Sequence, residues 1–481
     1  MRLNDKQSGI DSMRRDRALM PDLPTSSAIP GLARPQSGAD SGGVRQGWPE
    51  RIDAKGAALV TDSAWIGYLD GQPHERVQDW QRRRLARLVG HATQQSAWWR
   101  KRLGHLGARR GFGIRDLPIT SREDFRDSVT AAGGPLPMPQ NHGTPDKGST
   151  SGSSGTPVTF YTSALSRRLI SAEWHYDDIR QRRDPNLPGA ELSGGRIPEH
   201  SGEHHLIRGS PVFGTRDWMM RRLQQFPLEE HARWLSRVKP AYLSVSPNLL
   251  AGMLDVYEGG RVPAPPISQV LTYAETVDRN IRERARSLLG ASIRDRYSCF
   301  EIGPIAFQCP HSDDHYHLAS SNVIVEILDD AGLPCAPGVV GRVVVTGLHT
   351  FASPTIRYEL NDLAAWHPGC ACGRHAPVLV RLLGRKRFLI RLPSGDRTLP
   401  RIAARHWIGI APVREYRLVQ VSEAVLHAEI VLDRPLTDDE RHGFVAMLQR
   451  EISHELTYEI HQVERIAWGP TYKRQDVISL I

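Results

Sequence analysis

The sequence predicts an α/β protein with a large N-terminal domain and a small α+β C-terminal domain. At 481 residues the chain is longer than one hydrophobic core usually supports. Amphipathic stretches alternate with short β-branched runs as far as about residue 383, which is typical of helices layered on a sheet. The texture then changes, and residues 384–481 have the size of a small domain. Residues 1–50, rich in Ser, Gly and Pro, predict a disordered extension, so the large domain is expected over 51–383.

Helices are predicted where apolar residues recur every three or four positions. The stretch DWQRRRLARLVGHATQQSAWWRKRLG, residues 79–104, keeps this spacing and predicts one amphipathic helix. A further helix is predicted over 164–183, and a pair over 228–258 that is broken near Lys239 and Pro240.

Strands are predicted where β-branched residues cluster. In the large domain these runs fall at 269–275, 291–301 and 322–330. In the small domain the stretch 413–433 predicts two strands, and a helix is expected to begin after Thr437, an N-cap residue followed by acidic residues.

Composition narrows the class of protein. The net charge is +9, but the basic residues are scattered, which favours a solvated surface over nucleic-acid binding. No stretch approaches the roughly 20 apolar residues that span a bilayer, and the N-terminus lacks the apolar region of a secretion signal. Five cysteines, an odd number, favour metal binding or chance use over disulfides. We therefore expect a cytoplasmic protein that does not cross a membrane.

A run of hydroxyl and glycine residues from Thr150 to Pro157 suggests an anion site. Backbone N–H groups of such a turn can converge on phosphate oxygens, and the hydroxyls add donors. A Walker loop would need Gly-Lys-Ser or Gly-Lys-Thr, whereas Gly155 is followed here by Thr-Pro-Val. On composition alone, a flexible linker is the alternative.

Four further stretches follow that loop in order. They are YSCFEIG (297–303), IRYELNDL (356–363), LGR (383–385) and YKRQDVIS (472–479). With TSGSSGTP (150–157) they resemble the motifs of the adenylate-forming superfamily, the acyl- and aryl-CoA ligases and their relatives. The segments RLARLVGHATQQSAWWRKRL and DLPITSREDFRDS, together with CPHSDDHYH and GCACGR, are similar to the phenylacetate-CoA ligase and capsule-biosynthesis branch.

The resemblance, which begins near residue 80 and runs to the end of the chain, implies activation of an organic acid by ATP and Mg²⁺. The acid oxygen would attack the α-phosphate, expel pyrophosphate and form an acyl-adenylate, so that catalysis is mostly positioning and charge neutralisation. The acyl group would then pass to a thiol, with coenzyme A as the preferred acceptor. A carrier-protein phosphopantetheine arm or an amine remains open as the acceptor, and so does a homodimer.

The motif matches imply roles residue by residue. Glu301 would carry Mg²⁺, which favours one or two carboxylates plus substrate oxygens. Asp362 would accept hydrogen bonds from the ribose hydroxyls, and Arg385 would supply a cation to ribose or phosphate. Lys473, on a mobile small domain, would contact the α-phosphate and the attacking carboxylate. The residues expected at the β- and γ-phosphates are Thr150, Ser151, Gly152, Ser153, Ser154, Gly155 and Thr156, and those expected beside the adenine are Ala274, Glu275 and Tyr297.

The acid pocket is expected between the segment that precedes Tyr297 and a helix that carries Trp174, His175 and Tyr176. By analogy with the family, an aromatic acid is the preferred substrate.

The chain also departs from the family pattern. Phe300 stands where Ser or Thr usually precedes the acid, Asn361 where Gly is usual, and Val158 where many members place a lysine. Arg387 and Phe388 fill the acidic places of the hinge, so adenylation is better supported than the domain rotation of the second half-reaction.

A second constellation has the composition of a zinc site. A Cys-x-Cys pair and a distant Cys-x7-His pair can supply four tetrahedral ligands. His311 and His315 are alternatives to His317 as the histidine ligand. The resemblance to related ligases implies that this zinc site is structural. The alternative is a set of unpaired buried thiols and surface histidines, while Cys299 and Cys335 are interpreted as packing residues. The predicted zinc ligands are Cys309, His317, Cys370 and Cys372.

Two other classes of protein remain as alternatives. A non-catalytic relative would keep the fold and bind a nucleotide or a partner, as the altered hinge suggests. A basic nucleic-acid-binding protein with a zinc module is opposed by the strand-rich surroundings of the candidate ligands, and it would show steeply salt-dependent binding.

Overall fold

The computed structural model describes residues 54–481 except 105, 107–110, 151–157, 194–202, 211–213, 223–225, 278, 386–389, 399–401, 403–405, 408 and 467–476. The predicted extension, residues 1–50, lies outside this part of the chain. The described residues contain the helices α1 Ala54–Asp70, α2 His74–Gln95, α3 Ala97–Leu103, α4 Arg122–Ala132, α5 Ala164–Arg180, α6 Leu228–Val238, α7 Pro247–Glu258, α8 Arg279–Leu289 and α9 Asp438–Glu451.

The strands fall into one large sheet and three smaller ones. They are β1 Pro145–Ser149, β2 Thr159–Ser163, β3 Gly189–Ser193, β4 Glu203–Ser210, β5 Gly214–Arg222, β6 Tyr242–Val245, β7 Gln269–Tyr273, β8 Ser292–Cys299, β9 Gly303–Gln308, β10 Tyr316–Leu318, β11 Val323–Leu328, β12 Gly341–Gly347, β13 Tyr358–His367, β14 Val378–Arg385, β15 Ile390–Arg391, β16 Arg397–Thr398, β17 Glu415–Gln420, β18 Val425–Val431, β19 Thr457–Gln462 and β20 Val477–Ser479.

The large sheet has twelve strands in the order β11-β12-β13-β14-β10-β9-β8-β7-β6-β3-β5-β4. Strands β5, β3, β6, β7 and β8 are parallel to one another, and the remaining neighbours are antiparallel. Helices α6, α7 and α8 connect the parallel strands, and their apolar side chains, such as Trp234, Leu254 and Leu289, form one core cluster with those strands. This is the layered α/β arrangement that the alternating pattern predicts.

The helix predicted over 79–104 is wrong in one respect, because it is two helices. Helix α2 ends at Gln95, and Ser96 adopts an extended conformation with φ −128°. The Ser96 hydroxyl accepts a hydrogen bond from the Trp99 amide at 3.3 Å and caps α3. Apolar periodicity continues across Ser96, so the break was hidden by the pattern.

The predicted helix pair over 228–258 is confirmed. Helix α6 ends at Val238, its C-cap residue Lys239 has a left-handed φ of 43°, and α7 begins at Pro247. A buried strand that the sequence analysis missed, β6, lies between the two helices. Its four residues are too few to show a periodicity of their own.

The C-terminal part forms a separate four-stranded sheet in the order β19-β18-β17-β20, covered by α9. Its core cluster draws on residues from Ile390 onward, including Trp407 and Phe444. Helix α9 begins as predicted, with Thr437 and Glu440 forming a reciprocal capping box. Strand β14 ends at Arg385, so the predicted start of the small domain at 384 falls at the end of the large sheet.

None of the helices among the described residues is long and apolar enough to cross a membrane.

Candidate functional site

The predicted phosphate loop connects the two strands of a hairpin. Strands β1 and β2 pair from Pro145 and Ser163 to Ser149 and Thr159. Beyond them, the Thr150 amide donates to the Val158 carbonyl at 3.0 Å, and the Val158 amide donates to Thr150 Oγ1 at 3.0 Å. Thr150 therefore closes the base of the loop, while the predicted residues Ser151, Gly152, Ser153, Ser154, Gly155 and Thr156 lie outside the described residues.

A cation that the sequence analysis missed lies at this base. Arg122 is the first residue of α4, and its Nη2 donates to Thr150 Oγ1 at 2.9 Å. The charge of Arg122 also acts to lower the pKa of Tyr358, so Arg122 lies near Tyr358 and the predicted magnesium ligand Glu301. Arg122 lies within the segment DLPITSREDFRDS, but no spacing signal in the sequence links it to Thr150, 28 positions further along the chain.

Glu301, the predicted magnesium ligand, lies in the turn between β8 and β9 and is almost fully buried. The Tyr358 hydroxyl donates to Glu301 Oε1 at 3.3 Å. Burial is the main cause that raises the pKa of Tyr358, and the Glu301 carboxylate raises it further, so Tyr358 stays a neutral donor. The neighbouring Phe300 is 58% exposed and contributes no hydroxyl to this region.

Asp362 and Tyr297, predicted for ribose and adenine, are brought together although they are far apart in sequence. The Tyr297 hydroxyl donates to Asp362 Oδ2 at 2.7 Å. Asp362 is also the register partner of Arg385 across β13 and β14. The backbone alone is described for Arg385, so its side chain stays a prediction.

Asn361, which replaces the usual glycine, has a φ of 59°. This left-handed conformation is one that glycine adopts freely and that Asn tolerates better than most residues. The departure therefore leaves the backbone before Asp362 in a conformation that glycine would also adopt.

Ala274 and Glu275 follow β7 at the carboxyl edge of the parallel strands, the edge at which α/β sheets bind ligands. Tyr273 and Arg296 are register partners, so Ala274 and Tyr297 come next along their strands at the same edge. Ala274 has a positive φ of 70°. Glu275 Oε2 accepts from the Asn248 amide at 3.2 Å in the first turn of α7. The helix dipole stabilises a negative carboxylate at this end of a helix.

The expected acid-pocket residues separate onto two sides of α5. The Trp174 ring packs edge-on against Phe307 with centroids 5.3 Å apart, and the Arg296 guanidinium lies 4.9 Å from the Trp174 centroid. Trp174 thus contacts Arg296, in the segment before Tyr297, and the acid pocket there stays a prediction. Tyr176 instead donates to Asp70 Oδ2 at 2.9 Å, on α1.

A buried carboxylate fixes this end of α5. Asp177 Oδ2 lies 2.8 Å from Arg183 and 3.2 Å from Arg296, and Asp177 Oδ1 lies 3.3 Å from Arg180. Burial alone would raise the pKa of Asp177, but the charges of these three arginines hold it well below its usual range. Arg296 is thereby held beside Trp174.

Lys473 and the hinge residues Arg387 and Phe388 lie outside the described residues. The short strand that follows the lysine, β20, pairs in parallel with β17, where Leu418 faces Val477.

The four predicted zinc ligands lie together. Cys309 directly follows β9, His317 is on β10, and Cys370 and Cys372 are in the connection from β13 to β14. Cys372 Sγ is 3.3 Å from His317 Nε2, Cys370 Sγ is 3.8 Å from Cys309 Sγ, and all four ligand atoms lie within 4.8 Å of one another. Cys299 and Cys335 pack against an apolar cluster, as predicted.

These separations fit a tetrahedral ion. Zn–S and Zn–N bonds of about 2.3 and 2.0 Å place ligand atoms roughly 3.5–3.8 Å apart. Burial and the charges of Arg374, Arg180 and His315 lower the pKa of His317 to about 3, so its imidazole is neutral, the form that binds metal. His315 Nδ1 lies 3.2 Å from Cys370 Sγ, outside the group of four.

A fold with this large mixed sheet and a separate small C-terminal domain is that of the adenylate-forming ligases. The structure of 2-hydroxyisobutyryl-CoA ligase in the postadenylation state with 2-HIB-AMP superposes with a TM-score of 0.66, at 17% identity over 85% of this chain and 90% of that chain. The same enzyme in the thioesterification state, with 2-HIB-AMP and CoA, gives a TM-score of 0.53 at 18% identity over 85% and 91% of the chains.

Among characterised proteins, the chain is similar to the phenylacetate-coenzyme A ligase of Thermus thermophilus, with 25% identity over 412 residues, 82% of this chain and 85% of that protein. No protein-family model matches the chain. The comparisons confirm the resemblance predicted from the motifs, the fold class and the enzyme class, an adenylate-forming ligase.

Proposed function

We propose that this protein uses ATP to convert a carboxylic acid to its acyl-adenylate and then transfers the acyl group to the thiol of coenzyme A. The observation that carries the proposal is the meeting of motif residues from separate parts of the chain. Tyr297 contacts Asp362, Tyr358 contacts Glu301, and Arg122 contacts Thr150 at the base of the loop. Each contact joins residues at least 28 positions apart.

In the first half-reaction, a carboxylate oxygen of the acid forms a bond to the α-phosphorus while the bond to pyrophosphate breaks. Both reactants are anions, so the chain must position them and offset their repulsion. We assign this task to the backbone amides of the loop that begins at Thr150 and to two cations, Arg122 and Lys473. Glu301 would hold Mg²⁺, which supplies charge neutralisation at the phosphates when it is bound.

The nucleoside end is assigned to the other side of the site. Asp362, whose Oδ2 accepts from the Tyr297 hydroxyl, would also accept from the ribose hydroxyls, and Arg385 would approach the ribose or a phosphate. Tyr297, Ala274 and Glu275 would border the adenine.

The substrate that we propose is an aromatic acid. Trp174 packs edge-on against the buried Phe307 ring, with the Arg296 guanidinium 4.9 Å from the Trp174 centroid, and we assign this tryptophan to the wall that meets an aromatic acid. A carrier-protein phosphopantetheine arm or an amine is the alternative acceptor, because the hinge residues Arg387 and Phe388 depart from the pattern of the family.

Two further assignments belong to the protein as a whole. We assign a structural zinc ion to Cys309, His317, Cys370 and Cys372, where it would tie β9 and β10 to the connection between β13 and β14. We also propose a cytoplasmic location, since none of the five cysteines forms a disulfide, which suits a reducing compartment.

The test is acid-dependent exchange of labelled pyrophosphate into ATP with Mg²⁺, across aromatic, aliphatic and amino acids. We expect exchange with an aromatic acid, and CoA-dependent thioester formation with the same acid. The variant Lys473→Ala should lose exchange and retain ATP binding, because the lysine serves the transition state more than the ground state.

The matched control is Lys101→Ala, at an exposed lysine of α3. It should exchange at the parental rate. Exchange by Lys473→Ala at that rate would show that the lysine is misassigned. ATP binding without exchange for any acid would favour the non-catalytic relative.

A further inference from the structure

A cluster of two histidines and a glutamate lies on the small domain, outside the site described above. Strands β18 and β19 are parallel neighbours, with His427 opposite Glu459 and Glu429 opposite His461. Residues alternate between the two faces of a strand. Tyr458 and Ile460 point into the core under α9, so Glu459 and His461 lie on the opposite, solvent-facing side.

The three side chains converge on one point. His427 Nε2 lies 3.0 Å and His461 Nε2 3.3 Å from the same oxygen, Glu459 Oε2. The imidazole centroids are 4.6 Å apart, and all three ligand atoms lie within 4.8 Å of one another. Ligand atoms bound at about 2.0–2.1 Å to one ion would be roughly 2.9–3.4 Å apart for angles between 90° and the tetrahedral value.

The charges around the cluster keep Glu459 available. The neighbouring carboxylate, Glu429, is held by Arg417 of β17, whose Nε donates to it at 2.7 Å. Glu459 is thus left to the two imidazoles, its ion-pair partners among the described residues. Two imidazoles and one carboxylate form a ligand set that suits Zn²⁺, Ni²⁺ or Cu²⁺ far better than Mg²⁺ or Ca²⁺.

We propose that His427, Glu459 and His461 form a second metal site, for a divalent transition-metal ion with Zn²⁺ as the representative. The ion joins β18 to β19, two strands that are separated in sequence by helix α9. All three side chains are partly exposed, so water completes the coordination. The site shares no ligand with the cysteine cluster and does not depend on the proposed ligase activity.

The experiment is a calorimetric titration of the full chain, freed of any histidine tag and of bound metal, with Zn²⁺. We expect His461→Ala to bind one zinc ion fewer per chain than the parent. Glu459→Gln should weaken that site at least about tenfold, since even loss of a group that only orients a ligand costs about 10–100-fold. His454→Ala, at an exposed histidine outside the cluster, should match the parent.

A second measurement identifies which site is lost. Co²⁺ bound to thiolates gives a strong charge-transfer band, so this band should be the same in the parent and in His461→Ala if the missing ion is the one on the small domain. The proposal is overturned if the parent and His461→Ala bind the same number of zinc ions with the same affinity. The substituted side chains are exposed, and circular dichroism spectra of the variants check that they fold.

Discussion

The contact between Tyr297 and Asp362 joins two predicted site residues, and it separates two functions of the tyrosine. The ring can border the adenine, while the hydroxyl orients the carboxylate through the bond of 2.7 Å. Under our proposal Asp362 accepts from the ribose hydroxyls, so its orientation decides whether its carboxylate is correctly placed.

Tyr297→Phe keeps the ring and removes that hydrogen bond. We expect the KM for ATP in pyrophosphate exchange to rise about tenfold, since a hydrogen bond to a charged group contributes roughly 1.5–3 kcal/mol. Tyr68→Phe, at an exposed tyrosine of α1, is the control and should leave KM unchanged. An unchanged KM in Tyr297→Phe would mean that Asp362 is oriented without the tyrosine.

Glu173 is a carboxyl group that the proposed chemistry does not use. It is buried on α5, and the Ser321 hydroxyl donates to it. Burial raises the pKa of Glu173 from 4.5 to about 7, with Asp70 and Asp177 adding to the effect and Ser321 and Arg180 opposing it. The folded protein therefore holds this proton more tightly than the unfolded chain does.

Between pH 4.5 and about 7 the folded state carries more protons at Glu173, so the contribution of Glu173 to stability falls as the pH rises through this window. A shift of this size corresponds to about 3 kcal/mol. Urea unfolding at a series of pH values should show the loss in the parent relative to Glu173→Gln, which does not titrate. Parallel profiles for the two proteins would contradict the assignment.

At the scale of elements, the hairpin of β1 and β2 supports the phosphate loop through close packing. Gly148 pairs with Phe160, and a Cβ at position 148 would lie 2.3 Å from the Phe160 ring. Phe160 belongs to an apolar cluster beneath the hairpin, so its ring has little room to move.

Gly148→Ala should therefore displace the hairpin and the loop that begins at Thr150. We expect a destabilisation of about 1–3 kcal/mol from overpacking, and a raised KM for ATP in the exchange assay. Gly90→Ala is the control, because a Cβ there meets no atom within 4 Å, and in α2 the change should stabilise by about 1 kcal/mol. Normal stability and KM in Gly148→Ala would show that the hairpin adapts.

The zinc ion that we propose at the cysteine cluster would tie three segments of the large sheet. Cys370→Ser removes one of the four ligands, so the metal content of the cluster should fall from one zinc to none and the melting temperature should fall with it. Cys299→Ser, at a thiol that packs in the core, can alter stability but should leave the zinc content unchanged. If the cluster of the parent protein holds no zinc and Cys370→Ser has an unaltered melting temperature, the cluster is not a zinc site.

At the scale of the molecule, the large sheet and the C-terminal sheet have separate apolar cores among the described residues. The small domain is built around Trp407 and Phe444, whereas the large sheet packs against its own helices. A reaction in two half-steps fits this division, because a small domain with its own core can change position without unpacking the large one.

Arg387→Asp restores the acidic hinge residue of the family. We expect CoA-dependent thioester formation to become several-fold faster while pyrophosphate exchange stays unchanged, because under our proposal the hinge would serve the rotation between the half-reactions. Arg414→Asp, at an exposed arginine of the small domain, controls for the change of charge. Equal thioester rates in the parent and in Arg387→Asp would show that the native hinge already permits transfer.

Local sequence signals predicted the helices and strands of the chain and the residue types of its candidate sites. Thr437 and Glu440 lie three residues apart, so their capping box follows from the sequence. The ordered motifs likewise named Glu301, Asp362 and the cysteine cluster before any contact was known. These features were predictable because each depends on residues within a few positions, or on a resemblance carried by short motifs.

Tertiary structure alone decided which of these groups meet. Arg122 reaches Thr150, Tyr297 reaches Asp362 across 65 positions, and His427 meets Glu459 and His461 only because β18 and β19 are adjacent and in register. Such contacts leave no spacing signal, since they depend on how strands pair and helices pack over the whole core. Caps and helix ends depend on neighbouring residues and can be predicted from the sequence. The arrangement of the site depends on the packing of the whole folded chain, because many weak interactions together stabilise one set of strand and helix contacts.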